Sequence, residues 1–186
     1  MLVTSLAGWD PALCEWLAPL TLQQLIEPRK YLEEFAGYRK WKLDEQRTPK
    51  KAWPLGLTYT FGGKRTPHTC VAALLNGSRD LQKLIWRAEI GVLMPYIEEQ
   101  REILLQQYRN LLNVNFLTKS GDWIENIYDL EIGLIHFQLS QRSSLSPKEI
   151  KWVADLKDAR NNLSHLEPLV PELLSALCSG AKRSAT

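Results

Sequence analysis

The chain has 186 residues, of which 45% are hydrophobic and 24% charged, and a formal net charge of +2. This is enough chain for one or two domains with a real core, in the proportions of an ordinary soluble globular protein. It excludes a charge-dominated nucleic-acid-binding chain, and no stretch reaches the roughly 18 apolar residues of a membrane span.

The first residues lack a basic start and a sustained apolar run, so no signal peptide is expected. Cys14, Cys70 and Cys178 are far apart and odd in number, without a CxxC pair. They predict free thiols in a reducing cytoplasm, with no structural zinc and no cofactor. Cys178 is not placed for lipidation.

Asp10-Pro11 predicts an N-cap and a first helical proline, with a helix through Leu17. From Thr21 to Phe35, Leu22, Leu25, Ile26, Tyr31 and Leu32 have helical spacing, and Pro28 should bend or split that segment. Arg39 to Lys51 is basic and polar and reads as loop. Leu55 to Phe61 is β-prone and predicts a short strand closed by a Gly62-Gly63 turn. Basic residues gather here, at Arg39, Lys40, Lys42, Arg47, Lys50, Lys51, Lys64 and Arg65. They fit a solvated loop face, or an RNA-contacting patch for which Lys40, Lys42, Lys64 and Arg65 are the candidates. Seven tryptophans are many for this length, and fit core or interface anchors better than base-stacking platforms.

A domain boundary is expected at Asn76-Gly77-Ser78, with Ser78 as an N-cap. A long helix should run from Asp80 to about Leu112, with Pro95 a possible kink point. A second helix is predicted over 122–141, because Trp123, Ile127, Leu130, Leu134 and Phe137 recur at helical spacing. A third starts from Ser146 as N-cap, Pro147 at the first helical position and Glu149 three residues after the cap. It runs to about Leu163. Pro168 to Pro171 interrupts, and a short last helix over Glu172 to Cys178 stops at Gly180. The expected fold is mainly α: an N-terminal helical extension with a short β segment over 1–77, an up-down four-helix bundle over 78–180, and a flexible tail over 181–186.

Three features carry no chemistry. Gly62-Gly63-Lys64-Arg65-Thr66 lacks the glycine a phosphate loop needs at position 58, and Arg65 follows Lys64 where Ser or Thr is required, so ATP binding is not expected. His68 and Cys70 are two possible ligands without two more. His136 lies on the helix of the tryptophan stripe and reads as a core or rim histidine.

What remains is Arg160-Asn161-Asn162-Leu163-Ser164-His165. Val153, Leu156, Arg160 and Leu163 fall on one helical face, and an arginine on an apolar stripe is costly unless it is paired or lines a cleft. His165 follows within about one turn. RNA carries its own nucleophile, the 2′-hydroxyl beside the scissile phosphate, so cleavage needs no metal if protons move and the phosphorane charge is held. Histidine titrates near neutrality and suits proton transfer, whereas arginine is a fixed bidentate cation for phosphate oxygens. Asn161 can bond a phosphate oxygen or orient the histidine, and Ser164 and Glu167 stand close by. Against this, Arg and His at a helix C-terminus also favour the macrodipole with no catalytic role.

The segment from Asp155 to Leu169 resembles the "LRNxLAHxEP" stretch of HEPN domains, including abortive-infection types. The likeness extends past Arg160 and His165 to Asn161, Leu163, Ser164 and Glu167-Pro168. It is close over about fifteen residues and architectural over 78–180. It implies a metal-independent endoribonuclease, a toxin or antiviral defence effector, with Arg160, Asn161 and His165 at a site shared by a homodimer. RNA, including tRNA, would be the substrate, and a regulatory partner would restrain the activity. Some members of the family are inactive and serve as dimerisation or interaction modules docked on a sensor or ATPase, so that reading stays open. The tyrosine some HEPN toxins carry two residues after the histidine is Glu167 here, which weakens the likeness to that subgroup. More loosely, Gly56 to Gly63 followed by Ile85 to Glu99 resembles the region before a C-terminal HEPN module in some large bacterial defence ATPases, which allows the chain to be a subunit or part of a larger system.

Overall fold

The computed structural model describes residues 2–46, 49–61, 63–75, 79–119 and 121–184. Contacts divide the chain into two compact units, Met1–Glu89 and Ile90–Thr186. The division falls inside a long helix; Asn76-Gly77-Ser78, with the expected Ser78 cap, lies outside the described residues.

In the N-terminal unit, α1 (Leu2–Ala7) leads to α2 (Pro11–Leu17). Asp10 caps α2 as expected: Oδ1 accepts from the backbone N–H groups of Ala12 (2.9 Å) and Leu13 (3.3 Å). Pro28 splits the following segment into α3 (Leu22–Ile26), begun by a Thr21–Gln24 capping box, and α4 (Arg29–Tyr38). The stretch read as loop holds two helical turns, α5 (Leu43–Gln46) and α6 (Pro49–Ala52). Two antiparallel strands, β1 (Thr58–Phe61) and β2 (Lys64–Pro67), form a hairpin, with Gly63 at φ +77°. Only glycine adopts that backbone without strain.

The next helix, α7 (Thr69–Leu74), is buried from Thr69 through Ala73 and packs on α4. Its small residues let Leu13, Leu32, Phe35 and Leu57 close around it. Arg29 donates to the Ala73 and Leu75 carbonyls, satisfying the end of α7. The tryptophans are less buried than anchors would be. Trp41 is in the core, but Trp9, Trp16, Trp53 and Trp123 are exposed. Two of these rings lie against other aromatics, Trp16 stacked on Tyr38 and Trp9 edge-on to Tyr59 and His68.

The long helix α8 (Arg79–Gln107) runs through Pro95. The C-terminal unit continues with a 3-10 turn (Arg109–Leu111), then a minimal hairpin of β3 (Phe116–Leu117) and β4 (Trp123–Ile124). A second 3-10 turn (Ile127–Asp129) leads into α9 (Ile132–Ser140).

The helix expected over 122–141 is therefore wrong in its first half. Trp123 and Ile124 pair with β3, Asn126 Oδ1 accepts from the Tyr128 N–H to fix the 3-10 turn, and Glu131 is extended at the start of α9. The apparent stripe crossed three elements. Ile132, Ile135 and Leu139 are the buried face of α9, while Trp123 and Phe137 are exposed.

The helix α10 (Pro147–Ser164) begins with the expected cap: Ser146 and Glu149 form a capping box with Pro147 at the first position. Its buried face is Val153, Leu156, Ala159 and Leu163. It packs on α9 and on α11 (Pro171–Ser184). Gly180 does not stop α11, which continues into the stretch read as tail. A Cβ at Gly180 would lie 2.1 Å from Trp152 Cζ3, so the glycine makes room for an indole rather than a helix end. The unit is mainly helical, and polar bonds fasten its elements. Tyr108 donates to Glu149 Oε1 (2.9 Å), Arg142 donates to the Leu111 carbonyl (2.7 Å), and Gln138 Oε1 accepts from the Asn113 N–H (2.6 Å). Among the described residues, no helix is long and apolar enough to cross a membrane.

Candidate functional site

The last turn of α10 brings Arg160, Asn161 and His165 together at one helix end. The core position in this turn belongs to Ala159, not Arg160. Arg160 sits beside the buried face, half-buried, and its Nη2 donates to Glu131 Oε2 at 3.1 Å. The expected cost of an arginine near the apolar face is thus met by pairing. The pair is open to water, at 33% exposure for the Arg160 side chain and 65% for Glu131, so it holds the guanidinium weakly.

Arg160 also lines a cleft of about 240 Å³ with Glu98, Arg101, Tyr128, Asp129, Glu131 and Ile132. Arg101 is a second cation in the same cleft. Its Nε donates to Glu98 Oε2 (2.7 Å) and its Nη1 to the carbonyls of Tyr128 (2.9 Å) and Leu130 (3.3 Å). Sequence analysis did not single this residue out. The Glu98–Arg101 spacing was visible, but the carbonyls of the 3-10 turn that aim the guanidinium were not. Two arginines face three carboxylates here, so an incoming phosphate must compete with Glu131 for Arg160.

His165 caps α10 through its backbone. Its N–H donates to the carbonyls of Asn161 and Asn162, both at 3.0 Å. The Glu167 N–H returns to Asn162 O (3.0 Å) and the Leu166 N–H to Leu163 O (3.3 Å), a Schellman closure. The residue in the left-handed position is Leu166, at φ +63°, where glycine is usual. Backbone groups alone make this cap, and the imidazole of His165 is left exposed. Asn161, Ser164 and Glu167 are exposed beside it, and Ser164 Oγ donates to Arg160 O at 2.8 Å.

The four candidate RNA contacts belong to the N-terminal unit, and the α10 residues to the C-terminal one. Lys40 ends α4 at φ +55°, Lys42 follows buried Trp41, and Lys64 and Arg65 lie on β2; all four are exposed.

His68 is the N-cap of α7 and is fully buried. Its Nδ1 accepts from the Cys70 N–H (3.2 Å), which leaves the neutral ring's proton on Nε2. Nε2 lies 3.3 Å from Asp10 Oδ2, close but poorly aligned for a hydrogen bond. Burial lowers the His68 pKa, with Asp10 opposing the shift. Burial, with Asp10 adding to it, pushes the Cys70 thiol up to about 12. A protonated thiol sealed in the core is no nucleophile, so this Asp–His–Cys grouping is structural. His136 is half-buried on α9, its pKa lowered by burial and by Lys157. Among the described residues no three His, Cys, Asp or Glu side chains gather as a metal site.

No family model, no curated protein and no solved structure matches the chain.

Proposed function

We propose that the chain carries a HEPN-like up-down four-helix bundle and that the last turn of α10 is a metal-independent RNA-cleaving site. The observation that carries this reading is the exposure of His165 and Asn161 on the turn that sends Arg160 into a cleft, with the helix closed by backbone bonds alone. A histidine needed only as a cap would have no reason to leave its ring free. In the reaction, His165 moves a proton between the 2′-hydroxyl or the leaving 5′-oxygen and solvent. Arg160, released from Glu131, holds the charge building on the phosphate. Asn161 positions a phosphate oxygen. A single histidine at the end of α10 is few for both proton transfers, so two chains share the site as a homodimer. The biological setting is a cytoplasmic toxin or antiviral effector, restrained by a regulatory partner and acting on RNA such as tRNA.

The test is incubation of the purified protein with total tRNA in excess EDTA, beside His165→Ala. Cleavage by the wild type and not by the variant is expected. If neither protein cuts, the site is not catalytic as isolated. A second reading then leads, in which the bundle is a non-catalytic module that dimerises or docks on a sensor or ATPase. The Arg160–Glu131 pair favours that reading, because it occupies the one cation the chemistry needs.

A further inference from the structure

Gln100, Ile103, Leu104 and Tyr108 stand at i, i+3, i+4 and i+8 and share one face of α8. With Lys148, Glu149 and Trp152 of α10 and Gly180 of α11 they line a cavity of about 340 Å³ within the C-terminal unit. That volume lies at the lower end of the roughly 300–1,000 Å³ of small-molecule pockets. Its apolar wall is Ile103, Leu104 and Trp152. A Cβ at Gly180 would lie 2.1 Å from Trp152 Cζ3, so the glycine lets α11 close on the indole at the cavity's edge.

One residue of this lining is out of place in a core. Gln100 is only 4% exposed, yet its carboxamide, two donors and an acceptor, has no hydrogen-bond partner among the described residues. Buried polar groups are almost always paired, because leaving one unmet is costly. Neither amide atom is sealed, so the exposure that Gln100 keeps includes its amide, at the cavity it lines. The other polar groups are answered. Tyr108 Oη accepts from Gln107 Nε2 (3.0 Å) and donates to Glu149 Oε1 (2.9 Å). Glu149 Oε2 accepts from the Ser146 N–H (2.9 Å) and hydroxyl (2.6 Å). Lys148 is exposed to solvent, and its charge offsets that of Glu149.

We propose that this cavity binds a free, small, uncharged carboxamide or lactam. Its adjacent C=O and N–H meet the donor and acceptor of Gln100, and its ring lies on the wall of Ile103, Leu104 and Trp152. An ion gains little from a lining whose one cation and one carboxylate cancel. A wholly apolar molecule strips the Gln100 amide of water and gives it nothing in return. The site rests on no part of the ribonuclease reading.

The probe is benzamide, titrated into the full chain and followed by NMR of the backbone amides and the Trp152 indole N–H. Acetophenone, the same shape with a methyl in place of the amide nitrogen, is the control. Saturating shifts are expected at residues 100–108 and 148–152, with a Kd on the order of 1 mM for so small a ligand. Acetophenone should bind about fivefold more weakly, the worth of one hydrogen bond. Gln100→Leu keeps the volume and removes an amide without a protein partner, so the fold is retained, which amide dispersion checks. In that variant the two ligands should bind equally. No saturation by about 10 mM, shifts centred elsewhere, equal affinities in the wild type, or a preference that survives Gln100→Leu each overturns the site. Should Gln100→Leu fail to fold, the comparison of the two ligands on the wild type still decides.

Discussion

Arg160 and Glu131, 29 residues apart in sequence, meet at 3.1 Å and join the last turn of α10 to the start of α9. The contact sets the state of the one arginine the proposed chemistry uses. Glu131→Gln keeps the shape and removes the charge. Both side chains are substantially exposed, so stability should change by less than about 1 kcal/mol. If Glu131 competes with phosphate, RNA cleavage in EDTA should rise by up to about fivefold, the equivalent of roughly 1 kcal/mol. Initial rates for the variant and the wild type, at matched folded fraction, decide it. An unchanged or lower rate would mean that Glu131 positions Arg160 rather than restraining it.

Leu166 occupies the left-handed position that closes α10, directly after His165. A non-glycine residue there costs about 1–2 kcal/mol, and Leu166 is 64% exposed, so its side chain returns little of that through packing. Leu166→Gly relieves the strain at some cost in chain entropy, for a net gain of about 0.5–1 kcal/mol. Thermal melting should show a rise of about 2–4 °C per kcal/mol for a chain of this size. A fall in melting temperature would mean that Leu166 makes a contact worth more than its strain, as a second copy of the chain across this face would provide.

The helix starts were legible wherever a local hydrogen bond fixes them. Asp10-Pro11, Ser146-Pro147-Glu149 and the break at Pro28 each depend on residues within one turn. The errors came where a pattern had a distant cause. The spacing from Trp123 to Phe137 is helical, yet pairing with β3 and the Asn126 turn claim its first half. Gly180 looked like a helix end because its reason, the Trp152 ring, lies on another helix. Arg160 was recognisable as a paired or cleft-lining arginine, but nothing in sequence named Glu131 as its partner or Arg101 as its neighbour. His68 and Asp10 lie far apart in the chain, so a buried contact between two helix caps was invisible.

Gly180 tests the packing of α10 on α11. Gly180→Ala would gain about 1 kcal/mol of helix propensity on an open surface. Here the added methyl meets Trp152 at 2.1 Å, and the indole or the helix must move. Overpacking of that kind costs about 1–3 kcal/mol, so net destabilisation is expected in chemical denaturation. Adding Trp152→Leu should recover part of the loss, because it removes the clash. A variant as stable as the wild type would show that the indole swings aside freely.

His68 should make the fold sensitive to mild acid. Its Nδ1 accepts the Cys70 N–H and so cannot take a proton without breaking the cap of α7, and burial lowers its pKa below the ordinary value of about 6.5. Above that value His68 is neutral in both folded and unfolded chains, and its contribution is fully present. As the pH falls through about 6.5 the unfolded chain binds a proton that the folded chain refuses. Stability then drops by up to about 1.4 kcal/mol per pH unit until the lowered folded pKa is reached. Asp10, whose charge favours protonation, limits the window but does not reverse the sign. His136 is shifted in the same direction, so its own loss adds to the slope and must be separated. Denaturant midpoints measured between about pH 7.5 and 5 should fall with acidification in the wild type and in His136→Gln, but markedly less in His68→Gln. The His68 variant starts from lower stability, having lost the cap, so the slope and not the midpoint carries the result. A slope unchanged by His68→Gln would place the acid sensitivity elsewhere in the chain.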